Sequence, residues 1–134
     1  MTATLTSDRG SITAFVAVVA VALVMVAGMA YDGGQVIAAQ GRARSDASQA
    51  ARAGAQAIDI ALLRSSGQTV LDPRAAADSA HAYLGEVGAT GTVSVDGASV
   101  TVTVTAVQPM HILPVGDRTV TASVTVSALD EATP

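Results

Sequence analysis

The 134-residue chain contains no cysteine and no tryptophan, and all seven of its basic residues are arginine. Without cysteine there is no disulfide framework and no thiolate metal site. The arginines are scattered and outnumbered by eleven acidic residues, giving a formal charge of −4. Nucleic-acid binding rests on clustered positive charge, so that class of partner is excluded. Aromatic rings are limited to Phe15, Tyr31 and Tyr83, and the first two lie in or at the edge of an apolar run. The rest of the chain must therefore build its core from Val, Ala, Leu and Ile. A small domain of small side chains buries little area per residue and is marginal until something packs on it. This composition favours a subunit over a free-standing enzyme.

What the chain does have is the stretch from Ile12 to Tyr31, ITAFVAVVAVALVMVAGMAY, without a single charge. As a helix it would be about 30 Å long, the thickness of a bilayer's hydrocarbon core. Its Ile, Leu, Val and Phe residues favour insertion by about 3 to 5 kcal/mol. A buried core helix is the first competing reading, but the segment has no polar face to turn outward. A cleaved secretory signal is the second, because Arg9 precedes the run and Gly28-Met29-Ala30 resembles a peptidase site. The run is longer than a signal's usual apolar region. The expectation is a leader over residues 1–11, a transmembrane helix over 12–31 and one extracytoplasmic domain over 32–134. Arg9 weakly favours a cytoplasmic N-terminus in the plasma membrane, although Arg42 and Arg44 on the far side argue the opposite way. Tyr31 and Asp32 mark the membrane interface.

From Gln35 to Arg64 the sequence predicts a helix. Val36, Ala43, Ala47, Ala50, Gly54, Ala57, Ile58 and Ala61 fall within about 60° of one line, with Arg52 and Asp59 opposite. Small residues let another backbone approach closely. The stripe formed by Ala43, Ala47, Ala50, Gly54, Ile58 and Ala61 either packs on the chain's own sheet or receives neighbouring subunits. Asp32-Gly33-Gly34 either loosens the helix or begins its exposed portion. Ser65 to Gln68 reads as a turn. Asp72-Pro73 then opens a short second helix whose apolar face is Ala77, Ala80, Leu84 and Val87, with Gly88 at its end.

From Gly91 the period switches from 3.6 to 2. Thr92 to Val95 and Ala98 to Val107 read as a hairpin about Asp96-Gly97 in a type I′ turn, pairing Val95 with Ala98 and Val93 with Val100. Arg118 to Leu129 repeats the alternation, giving a three-stranded antiparallel sheet with one apolar and one hydroxyl face, covered by helices. The apolar loop between, Gln108 to Asp117, should be tucked against something: the end of the core, the membrane or a partner. Asp130 to Pro134 reads as a frayed tail.

No catalytic constellation is present. Asp78 and His81 share a helix face and His111 could approach them, but nothing in the spacing makes three or four ligands converge. There is no nucleophile elbow and no phosphate-binding loop. Asp32 and Asp46 read as solvated charges beyond the headgroups. No enzyme activity, cofactor, metal or small-molecule substrate is expected.

Asp8-Arg9-Gly10-Ser11, the apolar run, Tyr31-Asp32-Gly33-Gly34, Ala43-Arg44 and Ala50 to Ala57 (AARAGAQA) together resemble the tight-adherence (Flp) pilus-assembly TadE/TadG-like proteins of actinobacterial, high-GC Gram-positive type. The resemblance implies a pilin-like α+β fold: an N-terminal transmembrane helix continuing into an Ala-rich amphipathic helix, a short second helix and a three-stranded sheet. It implies a minor pilin or pseudopilin that packs with other pilus subunits, and a prepilin peptidase cutting between Gly10 and Ser11. The fifth position after such a cut, Glu in related subunits, is Phe15 here, which favours an assembly or anchoring role over a major fibre subunit. The alternative is a membrane-tethered or secreted, non-catalytic binding module of the cell envelope.

Overall fold

The computed structural model of the chain describes residues 9–128, and the tail 130–134 and most of the leader lie outside them. Helix α1, Arg9–Ala55, is unbroken for 47 residues, about 70 Å at the usual rise per residue. It passes through Gly33 and Gly34 without interruption. Nothing lies within 4 Å of the space a Cβ would fill at either glycine. Neither is therefore a close packing contact.

The two parts of α1 meet different surroundings. From Ile12 to Tyr31 every side chain is exposed and only Gly28 is buried, whereas further along Ala39, Ala43, Ala47, Ala50, Ala51 and Ala55 are buried. Small side chains there let the helix lie close on a sheet. At Gly54 an added Cβ would stand 2.9 Å from the Ala76 carbonyl oxygen and 3.2 Å from Val100 Cγ1. Glycine is what permits that approach.

The helix predicted through Arg64 stops at Ala55. Asp59 instead caps a separate helix α2, Ile60–Ser66, its carboxylate accepting the N–H groups of Ala61 at 2.9 Å and Leu62 at 3.0 Å. An Asp side chain satisfies the orphan donors of a helix start. The break is pinned by two backbone bonds, Asp59 N–H to the Val70 carbonyl and Asp72 N–H to that of Ala57, both 2.9 Å. The described residues thus hold three helices. Asp72 caps the third, α3, Pro73–Glu86, as expected, and its carboxylate accepts from Arg74 and Ala75. Ala76, Ala80 and Leu84 form its buried face, and Gly88 follows at a φ of +66°.

Strands β1 (Thr90–Asp96), β2 (Ser99–Gln108) and β3 (Arg118–Ser127) form an antiparallel sheet in that order. Val100, Val102 and Val104 of the central strand are buried under the helices. α1 covers β2 and β3, α3 covers chiefly β1, and the two helices pack on each other. The hairpin register differs from the expected one: Val95 pairs with Val100, Val93 with Val102 and Asp96 with Ser99. The turn residues are therefore Gly97-Ala98, with Gly97 at a φ of +57° and Ala98 not at positive φ. That is the type II′ pattern, with glycine at the first central position.

Candidate membrane-boundary site

Asp32 is one residue beyond the apolar run, yet it is only 1 % exposed. The expectation of a solvated charge fails here. Its Oδ1 accepts the backbone N–H of His111 at 3.1 Å, and its Oδ2 accepts those of Ile112 at 3.0 Å and Leu113 at 2.8 Å. An ionised carboxylate is acceptor-only, and successive N–H groups in a bend complement it. The loop between β2 and β3 is thus fastened to α1. These three bonds, that of Leu113 foremost, hold the Asp32 carboxyl below its ordinary value. Desolvation pushes the other way, and the nearby His111 ring adds a small lowering of its own.

One turn nearer the N-terminus, the same loop lies against Gly28. A Cβ at Gly28 would stand 2.6 Å from Ile112 Cγ2 and 3.7 Å from Leu113 Cδ2. No loop residue joins the buried core cluster, so the loop extends the domain along α1 and does not plug its core. Met110 and Leu113 are half-buried, whereas Ile112 and Val115 remain 48 % and 52 % exposed. Tyr31, at the same level of the helix, is exposed.

The stripe residues separate in the structure. Ala43, Ala47, Ala50 and Gly54 are buried within the chain, the three alanines in its core cluster and Gly54 against α3 and β2, so they are closed to a neighbouring subunit. Ile58 sits past the end of α1 in a bridge with Leu71, and Ala61 is exposed on α2. Gly10 and Ser11 lie in the first turn of α1.

His81 is exposed on α3 and His111 is exposed beside Asp32. Among the described residues no three His, Asp or Glu side chains come together as a metal site. Asp46 is half-buried and lines, with Arg42, an open cleft of about 540 Å³ between α1, the end of α3 and the β1–β2 edge.

The Asp32 latch went unseen in the sequence because its partners lie about eighty residues away. The one signal was a loop too apolar to stand free beside a lone acid at the end of the run.

α1 is long and apolar enough to cross a membrane, and the apolar stretch is 6 % buried within the chain. This fits a single-pass anchor. Residues 10–57, which span α1 and the turn after it, match the family model described as "Putative Flp pilus-assembly TadE/G-like". No curated protein and no solved structure gives a significant match.

Proposed function

We propose, taking the TadE/G-like match of residues 10–57 as the premise, that the chain is a minor pilin or pseudopilin-like subunit. It is anchored in the plasma membrane, N-terminus inside and domain outside, and acts in assembly or anchoring of a tight-adherence pilus. One observation carries this reading. The N-terminal part of α1 presents its apolar side chains away from the chain while the C-terminal part is committed to the chain's own sheet. An apolar helix drawn from a bilayer must find other apolar helices. Packing with other subunits therefore uses the faces of residues 12–31, not the Ala43-to-Gly54 stripe. Processing by a prepilin peptidase between Gly10 and Ser11 completes the reading.

The test is disulfide cross-linking in the cells that make the protein, in a chain with no native cysteine. Val21→Cys should cross-link to pilus subunits and Ala47→Cys should not. Deletion of the gene should remove or reduce sheared pili. Unchanged pili after deletion, or a mature protein beginning near Tyr31 and free in the medium, would overturn the reading in favour of the secreted binding module.

A further inference from the structure

We propose that the β2–β3 loop, residues 109–116, is a second membrane-contacting element. It rests Ile112 and Val115 in the headgroup and upper acyl region of the leaflet from which α1 emerges. The proposal builds on the reading of residues 12–31 as the bilayer-spanning segment.

Depth is the first argument. Gly28 lies three residues inside the end of the apolar run, about 4.5 Å along the helix from Tyr31. Ile112 abuts α1 there, with its Cγ2 where a Gly28 side chain would go. Its neighbours on the helix, Val24, Met25 and Met29, are exposed apolar side chains that need a hydrocarbon surrounding. A loop in contact at Gly28 shares that surrounding.

Chemistry is the second. Between Val107 and Asp117 the chain carries no formal charge at neutral pH, and Ile112 and Val115 stay about half exposed and outside the core cluster.

Backbone satisfaction is the third and most specific. Entering a bilayer's boundary is costly for any N–H left without a partner. Here His111, Ile112 and Leu113 donate to Asp32, Pro114 has no N–H, and Val115 donates to the Leu113 carbonyl at 2.9 Å. From His111 to Val115 every backbone N–H is spent inside the protein. A loop facing water would have no need of a buried carboxylate for this purpose. Asp32 thus makes the loop's backbone fit for the lipid boundary while itself remaining enclosed by it.

The test uses the full chain, reconstituted at low protein density in vesicles of phosphatidylethanolamine and phosphatidylglycerol. Single cysteines replace Val19, Ile112, Val115 or Thr125, each carrying an environment-sensitive fluorophore. Doxyl lipids report contact with acyl chains and iodide reports water. The Ile112→Cys and Val115→Cys labels should be blue-shifted and quenched by shallow doxyl lipid, while the Thr125→Cys label on the hydroxyl face should be quenched by iodide alone. If Val19→Cys is quenched by deep doxyl lipid but the two loop labels respond only to iodide, the loop proposal fails and the anchor stands. If Val19→Cys is also open to iodide, the anchor reading has failed. Loop labels shielded from both quenchers would overturn the proposal in favour of a protein partner. The atoms nearest the Gly28 Cβ position belong to Ile112 and Leu113, so the Val115→Cys label leaves that contact in place and reports on the loop independently of the Ile112 substitution.

Discussion

The Asp32 carboxylate accepts the Leu113 N–H at 2.8 Å across 81 residues of chain. With the bonds from His111 and Ile112 it joins the membrane-proximal part of α1 to the far end of the sheet. The carboxyl is held below its ordinary value near 3.8, which sets the sign of its pH dependence. A carboxyl with a lowered folded value stabilises docking fully above the ordinary value, and the contribution is lost as pH falls through the lower one. Amide protection at residues 111–113, taken relative to the free-peptide rate at each pH, should therefore hold at neutral and mildly acidic pH and fall only below about 3.8. Asp32→Ala should remove the protection of the same three amides at every pH, with the sheet amides unchanged.

Gly28 and Ile112 form a steric pair. Gly28→Ala places a Cβ 2.6 Å from Ile112 Cγ2, and a β-branched side chain has little rotamer freedom with which to yield. The substitution should undock the loop, at a cost of about 1 to 3 kcal/mol. Combining it with Ile112→Ala should restore protection at Leu113. A double-mutant cycle read by amide exchange measures the coupling.

Gly54 is a point of close approach between α1, α3 and β2. Gly54→Ala sets a Cβ against the Ala76 carbonyl oxygen at 2.9 Å, and the backbone cannot yield cheaply. The expected loss is about 1 to 3 kcal/mol of domain stability, measured by denaturant unfolding in detergent. Ala50→Glu should be worse, since it buries an unpaired carboxylate under the sheet. Both variants should still insert in membranes. Any assembly defect would arise through loss of the fold, visible as protease sensitivity, and not through a lost subunit contact.

Leu71 is the largest fully buried side chain in a core made mainly of Ala and Val. Leu71→Ala should cost about 2 to 5 kcal/mol. Thr103→Val, on the hydroxyl face where Thr103 bonds Ser123 at 3.0 Å, should change stability by about 0.5 kcal/mol or less. Thermal unfolding of the two variants side by side checks the contrast.

The sequence made the element types legible because each follows from period and caps: the apolar run, the Asp72-Pro73 start, and the Val/Thr alternation of the strands. The hairpin register was not legible for an instructive reason. The observed pairing is displaced by two residues from the expected one, and a shift of two leaves every side chain on the same face. Agreement in polarity cannot tell the two registers apart; only the turn geometry at Gly97 does. The end of α1 was missed because Ile58 and Ala61 continue the helical stripe past the break. Asp59, which falls opposite the stripe if the helix is continued, instead caps α2. The Asp32 latch depends on a contact across the whole domain that no local pattern encodes.

The uninterrupted course of α1 through Gly33 and Gly34 has a mechanical consequence. Anchor and domain share one rod, and the docked loop braces that rod at a second point below the sheet. Residues 12–31 and the sheet-packed residues 39–55 belong to one continuous helix. A displacement of residues 12–31 along the helix axis is handed to the sheet by two routes, the continuous helical backbone and the loop held at Asp32.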